Sequence, residues 1–485
     1  MIVGNEVKNL MLKRIYHSAI LNSWFNSVVV MITSIIAIPI VISKLTVPEI
    51  NVWFLFASIT ALGQGVLFGF NTTFLRFIVY SYSGIRIADF KDIRAKKELD
   101  FSERVDPNEF SAIFHLMNRI YNYIALVYLS IMIITGYFVL SKPISALPSV
   151  NAGWIAWTII AVSTTISLRF GLYQIFLEGI GKVALVQRIR GTVSLLGLVF
   201  IIMVLYLSPS LISIISIYQG VAMAVAFSIL IFSLPERRIL VQKVDHFNQK
   251  KNLLKTVIAS AWKSGITTVS ANIIQHISSI IVSQLFPPAQ SAIFLFTKRL
   301  FDVMETFTQA TFQARLPIIA KYRSRGDIAQ LLPYIKQTQW FAYGVFLVGY
   351  LVLILFGNEI LLLLNAKLSL GEMSLIMLFS FSILMRRWLG FSMAISNQSN
   401  HLIDYIIIPI TGVCFFVAIY FLYPIFGVNA FPFAQILSIL VIIPIVAKMY
   451  YPVIRTSFFK YERTTFIPIV ALLVVINIIL MNYSI

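Results

Sequence analysis

Charge is scarce in this sequence. Asp, Glu, Lys and Arg make up 12% of its 485 residues, 59% are hydrophobic, and the mean hydropathy is +0.88. A soluble fold of this length cannot bury so much apolar surface, so a water-soluble globular class is excluded and lipid must be the solvent. Cysteine is nearly absent as well: Cys414 stands alone inside an apolar run, which rules out a disulfide framework and a thiolate metal site. No glycine loop ends in Gly-Lys-Ser/Thr, and no dinucleotide fingerprint follows a strand; Gly63, Gly65 and Gly69 fall in an apolar run and read as close helix packing. Among five histidines only His276 lies deep in an apolar run, without Cys, Asp or Glu at ligand spacing. No catalytic residue, metal site or cofactor is therefore expected. Acidic residues are half as many as basic ones, 19 against 38, for a net charge of +19. Nucleic acid is not the expected partner, because no segment between the apolar runs is long enough to form a basic soluble domain.

What the sequence does have is a series of apolar runs, most about 20 residues or longer, the length of a helix that crosses a bilayer rather than of a barrel strand. The expected class is an all-α integral membrane protein. Spans are expected at 18–43, 50–81, 111–140, 152–180, 191–207, 211–233, 256–285, 289–318, 337–357, 372–397, 402–423, 428–448 and 464–484. The first run is too long for a signal-peptide core and is read as a retained helix. Of the 38 lysines and arginines, 27 fall in the amino-terminal segment and alternate connections, counting Arg315 and Lys448 at the adjoining span ends, and only Lys44, Lys142 and Lys367 in the others. Cytoplasmic segments are enriched in cations, so this asymmetry places the amino terminus in the cytoplasm.

An internal repeat organises the spans. Ser43, Leu45, Pro48, Phe54, Leu55 and Phe56 recur 240 residues later as Ser283, Leu285, Pro288, Phe294, Leu295 and Phe296. Six intervening helices leave both copies on the same side, which makes the repeat parallel, about an axis along the membrane normal. Twelve core helices in two six-helix lobes follow, with lobes at 1–233 and 256–450, a basic connector at 234–255 and an additional carboxy-terminal helix at 451–485 as an appendage.

Apart from Arg315, Glu372 and Lys448 at span ends, eight cations fall inside spans (Arg76, Arg119, Arg169, Lys263, Lys298, Arg299, Arg386 and Arg387), against four acids, Glu178, Asp302, Glu305 and Asp404. Each charge at mid-membrane costs about 2.5–3.5 kcal/mol, so they must face water, ligand or one another, or snorkel at a helix end. In the eighth helix Lys298, Asp302 and Glu305 are spaced i, i+4, i+7 on one face, with Arg299 beside Asp302 at i+3. Two readings stay open: a self-neutralised packing cluster, or a substrate clamp in which Asp302 or Glu305 binds a coupling cation. Arg169 and the Arg386–Arg387 pair fall in corresponding helices of the two lobes, where guanidinium forks suit phosphate oxygens. Helix seven carries a polar stripe, Ser264, Thr268, Asn272, Gln275, Ser279 and Ser283, with Lys263 beside it, and helix one a weaker set including Asn22, Asn26 and Thr33. Such stripes line a watery lumen or knit helices together.

The stretch 313–327, QARLPIIAKYRSRGD, with its proline and Gly-Asp before the next helix, and the glycine-containing helix 62–76 that ends in an arginine resemble the polysaccharide transporter branch of the multidrug/oligosaccharidyl-lipid/polysaccharide exporter superfamily, which includes O-antigen flippases. The resemblance spans almost the whole chain. It implies two six-helix lobes in a V shape working by alternating access in the bacterial inner membrane. The implied substrate is an undecaprenyl-diphosphate-linked oligosaccharide, with membrane lipids and other polysaccharide assembly proteins as partners. On that reading Arg169, Lys263, Lys298, Arg299, Arg386 and Arg387 hold the diphosphate, while Asn26, Thr268, Asn272 and Gln275 line the lumen. A cation-coupled multidrug antiporter is the first competitor, resting on Asp302 and Glu305. A membrane-embedded glycan-modifying enzyme is the second, disfavoured by the short outside loops.

Overall fold

The computed structural model describes residues 18–82, 107–241, 247–313, 315, 316, 318, 319, 322, 327–363, 366–397 and 404–482. Part of the 313–327 stretch, the first seventeen residues and the basic segment around Arg86–Arg104 lie outside them.

Among the described residues the regular structure is helical throughout. Thirteen long helices run α1 (Ala19–Lys44), α2 (Val47–Tyr82), α3 (Pro107–Ser145), α4 (Val150–Gly179), α5 (Val183–Leu207), α6 (Leu211–Leu240), α7 (Phe247–Leu285), α8 (Pro288–Gln313), α9 (Ile328–Leu363), α10 (Met373–Asn397), α11 (Asp404–Phe426), α12 (Ala430–Tyr450) and α13 (Phe466–Asn482). Among the described residues eight helical stretches are long and apolar enough to cross a membrane, and α2, bent by 48° between Gly65 and Gly69, makes a ninth when taken as one span. Outward apolar side chains such as Phe138 and Leu207, 74% and 75% exposed, have no water-compatible role and mark a lipid-facing surface. Helix α8 is more polar, because Lys298, Arg299, Asp302 and Glu305 lie in its middle.

Helix ends follow local chemistry. Ser18, Ser149 and Ser210 cap α1, α4 and α6, each side chain accepting from a backbone N–H three residues on. The turn between α4 and α5 places Gly181 at φ 84°, and Lys182 N donates to Leu177 O at 2.8 Å, a left-handed termination that glycine permits without strain. Helix α6 continues seven residues past the expected 233, so Arg237 and Arg238 fall in its last turn, where cations favour the helix dipole.

The chain divides into two compact units, Met1–Thr268 and Val269–Ile485, with the boundary inside α7. Within the first, α1 packs on α5, α4 on α6, and α2 on α3 and α4; within the second, α8 packs on α9 and α10, and α12 on α10 and α11. Both copies of the repeat form a helix, a two-residue turn and a second helix, and both Phe-Leu-Phe triplets are buried, so the identities record packing. The glycine reading of α2 holds at Gly63 and Gly69. A Cβ on Gly69 would meet Gly265 Cα at 2.6 Å and N at 2.7 Å, backbone that cannot yield. Gly69→Ala is therefore expected to lower folded yield in detergent by about 1–3 kcal/mol of overpacking strain. Gly220→Ala, where nothing lies within 4 Å, should leave it unchanged.

Helix α13 is more than an appendage. In the connection before it, the buried Glu462 carboxylate accepts from Trp388 Nε1 on α10 at 2.9 Å, from the Tyr451 hydroxyl, from Thr465 Oγ1 at 2.6 Å and from Phe466 N at 3.2 Å. Tyr461 donates to Gln339 on α9 at 2.7 Å, and deeper in the unit Tyr350 donates to Asn477. Burial, and after it the Glu462 charge, pushes the Tyr451 phenol above its usual 10.0; burial, then neighbouring Tyr450 and Glu462, does the same to Tyr461. A raised folded-state value contributes stability that is complete below the unfolded-state value and is lost as pH rises past it. Thermal stability should thus fall above about pH 10, and less steeply in Tyr451→Phe, as read by melting curves across that window.

Candidate functional site

The charged residues of α8 and α10 assemble in the second unit. Lys298 Nζ reaches Asp302 Oδ2 at 2.8 Å, the i,i+4 pair of one helix face. Arg386 bridges Asp302 at 3.4 Å and Glu305, Arg387 pairs with the other Glu305 oxygen, and Arg387 Nη1 donates to Gln309 Oε1 at 3.2 Å. Every ionic side chain in the cluster is 14% exposed or less. Three cations share two carboxylates, a formal surplus of one positive charge. Arg299 is exposed and takes no part in these pairs, and His276 lies within electrostatic reach of Lys298 and Asp302. Lys298, Asp302, Arg386, Ser278 and Gln435 line a crevice of about 310 Å³, its open mouth included, with room for a water or a small ion but not for a sugar ring.

In the first unit Arg169 of α4 meets different partners. Its Nη2 donates to Asn118 Oδ1 at 2.6 Å and its Nε to Asn122 Oδ1, while Nη1 is buried without a hydrogen bond. Among the described residues no carboxylate lies within ion-pair distance of it. The sequence reading passed over Asn118 and Asn122, although their i,i+4 spacing puts both on one face of α3.

The proposed lining residues are less distinct. Asn26 Nδ2 donates to Gln187 Oε1 at 2.9 Å, joining α1 to α5. Thr268 and Ser264 return their hydroxyls to the α7 backbone, and Asn272 and Gln275 are half-buried. Lys263 lies 5.6 Å from the centre of the Trp262 ring.

No protein-family model matches the chain, and no curated protein does. Solved structures do match. An inward-facing multidrug-resistance MATE transporter of the MOP superfamily aligns with TM-score 0.62 at 12% identity, over 88% of this chain and 96% of its own. The lipid II flippase MurJ, in an inward closed conformation, also aligns with TM-score 0.62 at 12% identity, over 96% of this chain and 93% of its own. The MATE transporter VcmN of Vibrio cholerae gives 0.53 at 13% identity, over 91% and 98%. With this near-complete mutual coverage, the chain has the fold of the MOP-superfamily transporters, an all-helical two-lobe membrane fold.

Proposed function

We propose that this protein flips a lipid-diphosphate-linked oligosaccharide, an O-antigen or related surface-glycan unit, from the cytoplasmic to the outer leaflet of the bacterial inner membrane by alternating access, with 1–233 and 256–450 as its lobes. The observation that carries the reading is Arg169: a guanidinium within a membrane span held by neutral amides keeps its charge available to a ligand, and phosphate oxygens are anions that its fork fits. Within the second unit, the surplus cation of the Lys298–Arg386–Arg387 cluster and the exposed Arg299 also favour an anion over a cation. Asp302 and Glu305 are engaged by cations, so binding a coupling ion there requires displacing an arginine or a lysine. That weighs against the multidrug-antiporter reading, which the fold alone supports equally well.

Complementation separates the two. Expressed in a strain lacking its own O-antigen flippase and supplied with the matching glycan genes, the protein should restore surface glycan. Restored resistance to cationic dyes with no glycan at the surface would establish the antiporter instead.

A further inference from the structure

The first unit holds a second arginine that the site above does not use. Arg237, in the last turn of α6, lays its guanidinium over the ring of Tyr173, with Cζ 4.4 Å from the centroid. Tyr173 lies one turn from Arg169 on the same face of α4, and its phenol is within electrostatic reach of the Arg169 guanidinium. Tyr173 therefore carries one guanidinium on its ring and lies one helical turn from another. The carboxylate nearest Arg237 in sequence, Glu236, is taken by Lys182 from the start of α5, and among the described residues no acid pairs with Arg237. Arg237 Nε and Arg169 Nη1 are both buried donors without a hydrogen-bond partner. Two cations without carboxylate counterions are thus set along one line of α4 and α6. Arg237 stands at the basic end of the helices, and Arg169 lies deeper, beyond Tyr173, by one helical turn of roughly 6 Å.

We infer that Arg237, Tyr173 and Arg169 form a two-station phosphoanion site. Arg237 receives a diphosphate at the helix end that the charge asymmetry assigns to the cytoplasm, and Arg169 takes it up one turn further in. The stacked Tyr173 ring fixes the plane of Arg237, and the Asn118 and Asn122 amides fix that of Arg169. An isolated guanidinium binds phosphate weakly in water, but two that are partly desolvated and spaced along one path bind the two phosphoryl groups of a diphosphate together. This deepens the flippase reading and rests on it for the identity of the anion, whereas the pairing of the two arginines is a separate claim. The shared chemistry is a phosphoryl group, which a diphosphate substrate and an anionic phospholipid headgroup both supply.

The test is binding of inorganic pyrophosphate to the purified full-length protein in nanodiscs, comparing wild type with Arg169→Ala, Arg237→Ala, Arg237→Lys and Tyr173→Leu, each checked by melting temperature. Arg237→Ala is expected to weaken binding about tenfold or more, Arg237→Lys less because charge remains while the fork and stack are lost, and Arg237→Ala/Arg169→Ala to abolish it. Tyr173→Leu, which removes the stack, should weaken binding to a similar extent in the fraction that folds. Nanodiscs of phosphatidylcholine and of phosphatidylglycerol separate the sources: competition by phosphatidylglycerol that disappears in Arg237→Ala identifies a headgroup, and equal affinity in both lipids a diphosphate ligand. If Arg237→Ala binds like wild type while Arg169→Ala does not, the two-station site is overturned and Arg169 stands alone. If wild type binds no pyrophosphate in either lipid, both this site and the anionic-substrate reading fall.

Discussion

On the flippase reading proposed above, Arg169→Ala is expected to lose surface-glycan export while the protein stays in the membrane at normal abundance. The two halves of this expectation have separate causes. Removing the side chain leaves the Asn118 and Asn122 amide oxygens without their donor, at about 1–3 kcal/mol each. It also removes a cation that is itself expensive within the bilayer, by about 2.5–3.5 kcal/mol. These terms roughly cancel, so folding should survive. Ligand binding has no such compensation: losing charge-assisted hydrogen bonds worth about 1.5–3 kcal/mol lowers affinity on the order of 10- to 150-fold. Arg169→Lys keeps the charge without the fork and should recover part of the export. Full export by Arg169→Ala, scored by surface-glycan staining at matched protein levels, would reduce Arg169 to a link between α3 and α4.

The opposite profile belongs to Glu305. Glu305→Gln strips two arginines of a shared counterion at a site where every charged side chain is 14% exposed or less. Breaking one partner of such a buried pair costs about 3–5 kcal/mol, a large share of a net stability of about 5–15 kcal/mol. The variant should be nearly absent from the monodisperse peak of a size-exclusion profile. Glu305→Gln/Arg387→Gln restores the balance to two cations and one carboxylate and is expected to recover much of the folded protein. A single variant that folds normally would show that the carboxylate is not needed to neutralise Arg386 and Arg387, and would return Glu305 to the coupling-ion candidates.

The two variants also show where a linear reading stops. Lys298 with Asp302 was legible, because four residues on a helix is a contact distance and both residue types were visible. The partners of Glu305 were not: Arg386 and Arg387 lie on another helix more than eighty residues away, and no periodicity encodes which face of α10 meets α8. The same holds for Glu462, which reads as an ordinary acid between two helices until Trp388 and Tyr451 are seen to close over it. Arg237 looked like one more cation in a basic connector, since its stacking on Tyr173 depends on α6 running past the expected end and lying beside α4.

The sequence by itself determined the solvent, the secondary structure and the repeat, because each follows from composition and short-range spacing: apolar runs of bilayer length must become helices, and a motif recurring after 240 residues must fold alike. It also determined that cations outnumber acids within the spans, a matter of counting. Only the tertiary structure decided which of those cations remain uncompensated. Neutralisation is a pairwise property of side chains brought within a few ångströms by helix packing. Among the described residues that packing engages Lys298, Arg386 and Arg387 with carboxylates and gives Arg169 the neutral amides of Asn118 and Asn122.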